Sequence, residues 1–292
     1  MSSFLNKHKK QFDLKSFVAI AIKEDLGDGD HTSLSILSKQ QIGKVKLLVK
    51  EAGIIAGVAA VSEILKVFSK RIKLKIKIKD GQYVKPGDVV FYLEGPVVEL
   101  LSIERLLLNI MQRMSGIATK TNALQSLCAG TKARVIDTRK TTPGFRFFEK
   151  WAVLIGGGAN HRFGLYDMIL IKDNHVDFAG GIDKAILSAK KYLKSKNKKL
   201  PIELEVRNLI DIEIALKHKG LERLLLDNFS PSQTKKAVDF INGKIPTEAS
   251  GGITEKNISL YAKAGVDFIS VGALTHHIKS LDLSLKACDE NY

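Results

Sequence analysis

Between positions 139 and 175 stand Arg139, Lys140, His161, Arg162, Lys172 and His175. Cations gathered at one place repel one another, and that cost is offset only when an anion binds. Arginine in particular offers paired N–H donors that match carboxylate and phosphate oxygens. Taken singly, each of these residues is a solvated surface cation or the partner of a nearby acid. Taken together, each group just past a short apolar run, they describe a site for a small polyanion. The segment Gly156–Asn160 (Gly-Gly-Gly-Ala-Asn), directly before His161, could let backbone N–H groups approach an anion, or it is an ordinary flexible loop. Ser250-Gly251-Gly252 and Gly272 follow the last two apolar runs, where barrels of alternating strands and helices hold phosphate. Glu205 and Asp227 complete the pattern. Acids at adjacent strand ends can hold Mg²⁺, neutralise the cations, or act on substrate hydroxyls. Glu203 shares a side of the strand with Glu205, so spacing alone does not choose between them. Lys172 could also form a Schiff base, as in barrel aldolases.

These residues need elements to position them. In the second half of the chain, short apolar runs recur, each ending in polar residues. They are Val135–Ile136 before Asp137, Met168–Ile171 before Lys172, Ile202–Val206, Leu224–Leu226 before Asp227, Thr247–Ala249 before Ser250, and Phe268–Val271 before Gly272. Helical segments separate the later runs. Asn208 can cap a helix that stops at Gly220, Ser230 with Pro231 starts one that stops at Gly243, and Thr254 starts one that ends by Gly265. Strand–helix alternation predicts a parallel α/β fold with its chemistry at the strand C-termini; an open doubly wound sheet is the alternative.

The first part of the chain mixes helix and strand. Ser16–Lys23 reads as a short helix, and strands are expected near Val45–Lys50, Ile72–Ile78 and Val89–Leu93. From Arg71 to Lys79, Ile72, Leu74, Ile76 and Ile78 alternate with lysines, which predicts a strand with one solvated face. Ala52–Ser62, nearly uncharged, should be packed core. The turn from Asp80 to Asp88 resembles those of biotinyl and lipoyl carrier domains. It lacks their lysine-bearing hairpin, so the likeness is structural only. Ser102–Leu127 is helical, with Ile103, Leu106, Leu107, Ile110, Met111 and Met114 on one face.

Composition narrows the function. The 292 residues are 45% hydrophobic and 26% charged, an ordinary globular make-up. Two distant cysteines, Cys128 and Cys288, build no disulfide framework or zinc-type spacing, which favours a reducing compartment, the cytoplasm. Neither a signal peptide nor a membrane span is read. The net charge of +15 would suit nucleic acid, an anionic surface or an anionic substrate. The lysine runs lack the interleaved aromatics that stack on bases, which argues against nucleic acid. No Walker A or Gly-x-Gly-x-x-Gly motif follows a strand, so nucleoside triphosphate and Rossmann readings lose ground.

Several segments, in order along nearly the whole chain, resemble quinolinate phosphoribosyltransferases, also called carboxylating nicotinate-nucleotide pyrophosphorylases. They are 24–33 (EDLGDGDHTS), 104–109 (ERLLLN), 137–144 (DTRKTTPG), 156–167 (GGGANHRFGLYD), 172–175 (KDNH), 226–228 (LDN) and 248–254 (EASGGIT). The stretch from Asp137 to His175 is the most specific. The resemblance implies that quinolinate and phosphoribosyl pyrophosphate, with Mg²⁺ as cofactor, give nicotinate mononucleotide, pyrophosphate and CO₂, a step of de novo NAD synthesis. It implies an N-terminal α/β sandwich domain over residues 1–115, on which a tail of about 276–292 would pack. An incomplete, TIM-like α/β barrel would occupy 116–275. A homodimer or dimer-based hexamer with shared active sites is also implied.

By the same resemblance, Arg139, His161, Arg162 and Lys172 surround the quinolinate carboxylates, joined by Arg105 from a partner subunit. Lys140 binds quinolinate or the pyrophosphate. Glu205 and Asp227 face the ribose and the metal, and Ser250, Gly251, Gly252 and Gly272 hold the 5′-phosphate. Lys140, Lys172, Glu205 and Asp227 are the expected catalytic groups. One departure stands out: where the family often carries an acid after the third barrel strand, this chain has Arg207. Two rivals are a phosphoribosyltransferase for nicotinate or a related pyridine or pyrrole acid, and a non-catalytic basic binding protein. The number of cations favours a dicarboxylate over a monoacid, and the ordered polar groups at strand ends speak against a mere carrier.

Overall fold

The computed structural model of the chain describes residues 3–8 and 10–288. Its contacts divide the chain into two compact units. One comprises residues 1–122, 142–157 and 277–292, the other 123–141 and 158–276.

The first unit begins with helices α1 (Ser3–Lys7), α2 (Leu14–Leu26) and α3 (His31–Ile36). The expected helix at Ser16–Lys23 is longer at both ends, because the Asp13 side chain accepts from the Lys15 and Ser16 N–H groups and so caps the helix two residues earlier. Then follow β1 (Ile42–Val49), β2 (Gly53–Ile54), α4 (Val58–Phe68), β3 (Lys73–Ile76), β4 (Tyr83–Val84) and β5 (Val89–Pro96). Leu47, Val49, Phe91 and Leu93 are buried where β1 and β5 pair antiparallel. On the opposite side Lys44 lies over the Tyr92 ring.

The lysine-alternating strand is shorter than its pattern suggests. Only Lys73–Ile76 pairs with β5, after which Lys77 and Ile78 both donate to the Val90 carbonyl and break the ladder. Of its apolar face Ile72 is buried, but Ile76 is exposed. The carrier-like turn serves the neighbouring helix. Its Asp80 carboxylate accepts from the Val58 and Ala59 N–H groups at the start of α4.

Helix α5 (Val97–Ser126) starts five residues before the expected Ser102, continuing directly from β5. Ile103, Leu107, Ile110, Met111 and Met114 are buried as the spacing predicts, while Leu106 is half-buried. The small residues of α5 meet the Ala52–Ser62 stretch at close range. Thr119 Oγ1 accepts from Ile54 N at 2.8 Å and Ser115 Oγ from Ala56 N at 2.9 Å.

The second unit opens with β6 (Arg134–Ile136). The next helix, α6 (Arg146–Ile155), belongs to the first unit, although the sequence division put it with the barrel. Its Phe147, Phe148 and Trp151 pack with Phe4, Phe12 and Phe17, and Phe12 stacks on Phe147 at 4.2 Å. The chain then runs through β7 (Ile169–Ile171), α7 (Asp173–Ala179), α8 (Ile182–Ser195), β8 (Ile202–Val206), α9 (Leu209–Leu216), β9 (Arg223–Asp227) and α10 (Pro231–Ile241). It continues through β10 (Thr247–Ser250), α11 (Ile258–Lys263), β11 (Phe268–Ser270) and α12 (Ala273–His276). The six strands pair in parallel in the order β6-β11-β10-β9-β8-β7. That is the chain order of a barrel with the seam between β6 and β7 left open. The expected mixed architecture, an antiparallel-sheet unit and an incomplete parallel α/β barrel, is what the chain forms.

Caps follow the sequence signals with two adjustments. Ser230 and Gln233 form a reciprocal capping box at α10, with Pro231 in the first turn, and Asn208 accepts from Asp211 N at α9. Helix α9 ends at Leu216, and a turn carries the chain on to Gly220. Thr254 opens a turn whose N–H is held by Asn257, and α11 begins only at Ile258.

The chain finally returns to the first unit as β12 (Leu283–Ala287), which pairs antiparallel with β1 and places Leu285 opposite Leu47.

Gly116 of α5 tests this packing. Alanine is favoured over glycine in a helix by about 1 kcal/mol, yet a Cβ here would overlap the Lys279 carbonyl oxygen. Gly116→Ala is therefore expected to destabilise the protein, by about 1–3 kcal/mol, read as a lower urea midpoint. A raised midpoint would mean that this backbone approach is not tight.

Candidate active site

The polar groups predicted at strand ends stand in the second unit at the C-terminal side of its sheet. Arg139 and Lys140 follow β6 and are exposed; Lys172 follows β7, Glu205 is the penultimate residue of β8, and Asp227 ends β9. The register sets Asp227 beside Ser250 across β9 and β10. Because side chains alternate along a strand, Glu203 and Glu205 share one face of β8. Their depths differ: Glu203 is wholly buried and Glu205 only half-buried. Of the two, Glu205 is the one that solvent or a ligand can reach.

Two acids, the buried Asp137 and the half-buried Asp167, shape the loop that carries His161 and Arg162. Asp137, just past β6, accepts from Asn160 Nδ2 at 2.6 Å and from the His161 N–H at 2.9 Å. Asp167 accepts from the Phe163 and Gly164 N–H groups. The loop that includes Ala159–Asp167 is thus fixed by carboxylates. The Arg162 guanidinium donates to the Met168 carbonyl at 3.2 Å. Burial, followed by the like charge of Arg139, lowers the Arg162 pKa. The two arginine charges therefore act on each other, as the charges of an anion site would.

The acids pull the other way. Burial raises the pKa of Glu205, and the Asp227 carboxylate raises it further. Burial likewise raises Asp227, with Asp173 adding to it, while Lys172 and Lys140 oppose the shift. Cations and acids are thus interleaved: Lys140 and Lys172 act on Asp227, and Lys172 on Glu205. Asp173 adds its N–H to Glu205 at 3.4 Å, and the Lys172 N–H donates to His175 Nδ1. His175 serves the start of α7, whatever else it does.

Around Ser250 the backbone is special. Gly251 and Gly252 have φ of +95° and +61°, a region where glycine is strongly favoured. A Cβ on Gly251 would overlap the Asn228 side chain, whose own residue stands at φ +55°. Gly272 packs against Lys140 and His276, and Thr275 Oγ1 donates to the Lys140 carbonyl at 2.6 Å. The glycines after β10 and β11 therefore bring backbone close to Asp227, Asn228 and Lys140. Arg105 is exposed on α5 in the first unit. Arg207, which departs from the family pattern, pairs with Asp177 at 3.2 Å and with Asp211 at 3.8 Å.

Sequence reasoning passed over the layer beneath. Glu203 and Glu248 are both fully buried, with Arg223 between their strands. Arg223 donates to Glu248 Oε2 at 2.5 Å and lies 3.8 Å over the Phe268 ring. His161 Nε2 sits 2.9 Å from Glu203 Oε2 and 3.7 Å from Glu248 Oε2. Neither Glu203 oxygen meets an aligned hydrogen-bond donor, nor does Glu248 Oε1. Burial raises both carboxyls, and the neighbouring Glu203 lifts Glu248 further, to about 7. This trio is the one group of three His, Cys, Asp or Glu among the described residues with donor atoms within 4.8 Å of one another. Arg223 already supplies counter-charge to it. The signal for the layer lay in the strand patterns: Glu203 and Glu248, each the second residue of its strand and followed by an apolar one, are out of place unless they face a polar interior.

A half-open parallel barrel with converging arginines, interleaved acids and glycine-rich final loops defines an enzyme of anionic, phosphorylated substrates. Comparison with known proteins makes this specific. The model for quinolinate phosphoribosyl transferase, N-terminal domain, matches residues 30–115, and that for the C-terminal domain matches residues 117–286. The chain belongs to the quinolinate phosphoribosyl transferase family. It is 42% identical to the chloroplastic nicotinate-nucleotide pyrophosphorylase [carboxylating] of Arabidopsis thaliana, over 94% of this chain and 83% of that one. The probable nicotinate-nucleotide pyrophosphorylase [carboxylating] of Bacillus subtilis is 39% identical, over 93% of this chain and 92% of its own. Among solved structures, the nicotinate-nucleotide pyrophosphorylase of Francisella tularensis superposes with a TM-score of 0.87 at 40% identity, covering 94% of this chain and 96% of that one.

The buried acids predict a pH dependence. Glu248 has its folded pKa raised to about 7 from an ordinary 4.5, so the folded state binds more protons than the unfolded one between those values. Stability contributed by the protonated carboxyl is full below about 4.5 and is lost as pH rises towards 7. Glu248→Gln, which cannot ionise, should flatten that part of the melting-temperature profile. An unchanged slope between pH 4.5 and 7 would mean that Glu248 is ionised throughout.

Proposed function

We propose that this protein transfers the phosphoribosyl group of phosphoribosyl pyrophosphate to quinolinate and decarboxylates the adduct, yielding nicotinate mononucleotide, pyrophosphate and CO₂. The reaction is a step of NAD biosynthesis. The observation that carries this reading is the set of charged groups past the strand ends of one sheet: Arg139 and Arg162, whose charges act on each other, and Glu205 and Asp227, whose charges do likewise. A dicarboxylate suits the first group and a developing ribosyl cation suits the second.

The chemistry follows from charge. The bond from ribose C1 to pyrophosphate weakens as the quinolinate nitrogen approaches, leaving an oxocarbenium-like ribose and negative charge on the departing pyrophosphate. Lys140 and Lys172 stabilise the leaving group, and Asp227 and Glu205 favour the cationic sugar. Arg139, Arg162 and Lys172, with His161 beside them, hold the two carboxylates so that the ring nitrogen is aimed at C1, and such alignment supplies much of the rate. The backbone around Ser250, Gly251, Gly252 and Gly272 receives the 5′-phosphate. Once the ring nitrogen is quaternary it draws in the electron pair released when the C2–carboxylate bond breaks. CO₂ departs, and C2 takes up a proton.

The donor set fits a magnesium ion. Glu205 and Asp227 are hard oxygen donors whose pKa values are raised by burial, with the Asp227 charge adding to the rise at Glu205, and a dication would relieve that repulsion. We assign Glu205 and Asp227 to such an ion, directly or through water. When bound it neutralises charge on the pyrophosphate. The chain works, on this reading, as a homodimer or a dimer-based hexamer in which Arg105 reaches a neighbour's site. The reaction runs in the cytoplasm, in keeping with two free cysteines. No described helix is long and apolar enough to cross a membrane.

Incubating the full chain with quinolinate, phosphoribosyl pyrophosphate and Mg²⁺ should produce nicotinate mononucleotide, and Arg139→Ala should lower kcat/KM by about 100-fold, as expected for a bidentate charge-assisted contact. Product formation undiminished in the variant would remove Arg139 from the site, and no product from folded native protein would refute the reaction.

Shared sites make a separate prediction. Arg105→Ala and Asp227→Asn should each be nearly inactive alone. Co-refolded in equal amounts, they should regain about a quarter of native activity, because half of random dimers carry one intact site. No recovery would mean that Arg105 does not act across subunits.

A further inference from the structure

His161 is doubly engaged inside the protein. Its Nδ1 accepts the main-chain N–H of Arg162 at 2.7 Å, so the ring proton resides on Nε2. Nε2 lies 2.9 Å from Glu203 Oε2 and 3.7 Å from Glu248 Oε2, a close electrostatic contact rather than an aligned hydrogen bond. Its own main-chain N–H is held by Asp137. The ring therefore joins the loop that carries Arg162 to the polar interior of the barrel, and its side chain is only 7% exposed. Behind it, Arg223 fixes Glu248, stands opposite Glu203 across β8 and β9, and is itself pinned over Phe268.

Charged groups this deep are costly unless they do something. Aliphatic residues of similar size would fill the barrel more cheaply. What the acids contact is the one imidazole whose other nitrogen sets the Arg162 peptide. We infer that Glu203, Glu248 and Arg223 are positioning residues: a buried brace that orients the His161 ring and, through its Nδ1, the Arg162 backbone, and so aims the Arg162 guanidinium at the carboxylates of the substrate. This rests on the reading of the protein as a quinolinate-using enzyme and adds residues that take no part in contacting substrate.

The test is a double-mutant cycle in the full-length enzyme. Asparagine at position 161 can offer Oδ1 where Nδ1 stood, keeping the bond to the Arg162 N–H while cutting the link to the acids. Glu203→Ala should raise KM for quinolinate about 10-fold while KM for phosphoribosyl pyrophosphate stays within about twofold. In the His161→Asn background the same change should have almost no further effect, and Glu203→Gln, which keeps an acceptor facing Nε2, should recover most of the loss. If Glu203→Ala does not fold, Glu203→Leu completes the cycle with the cavity filled. Equal rises in both KM values, or effects that multiply independently in the double mutant, would overturn the brace. Native enzyme that forms no nicotinate mononucleotide would instead refute the reaction, an outcome separate from additive behaviour in an active enzyme.

Discussion

Everything in the second unit answers to one constraint: cations must be held near one another without an anion present. Like charges repel, the more so where burial removes water from around them. Arg162 feels this: burial first, and then the like charge of Arg139, lowers its pKa. The fold offsets it with acids rather than with distance. Glu205, Asp227 and Asp173 stand among Lys140 and Lys172, and Glu203 faces the Arg162 side from below. Binding a polyanion lets the cations trade mutual repulsion for ligand contacts, while the acids are left to face whatever positive charge the reaction develops.

A parallel sheet suits such a site because all its strand ends bearing the loops lie on one side. Each loop then contributes a side chain at a fixed depth. Carboxylates on the barrel face set the loops in turn: Asp137 holds Asn160 and His161, and Glu205 receives the Asp173 N–H. Glycine is needed where backbone must come closest. At Gly251 a side chain would collide with Asn228, which stands at φ +55° and donates to Asp227. The site is an arrangement of backbone as much as of side chains.

Much of this was legible in the sequence. The apolar runs ending in polar residues located all six barrel strands, although Glu203 and Glu248 interrupt two of them. The polar residue after each run then fell at the right end. Harder to read were features decided by long-range contact. Helix α6 has an apolar face that could have packed anywhere, and only its aromatic partners near the N-terminus settle which unit it joins. Strand β12 is short, and its pairing with β1 spans most of the chain. The lysine-alternating segment promised a long strand, but alternation reports only which faces are polar and not where a neighbour's ladder stops. The buried Glu203–Glu248–Arg223 layer left only a partial signal for a related reason: acids within the strands hint at a polar interior, but the pattern does not say which of them are buried together.

The central claim is that the cation cluster recognises two carboxylates at once. Calorimetric titration of the full-length protein with quinolinate and with nicotinate, at low and at raised ionic strength, measures it directly. A second carboxylate held by charge-assisted hydrogen bonds is worth about 1.5–3 kcal/mol. Quinolinate should therefore bind about 10- to 100-fold more tightly than nicotinate, and added salt should narrow the gap. Equal affinity for the two acids, or a preference for nicotinate, would contradict the account.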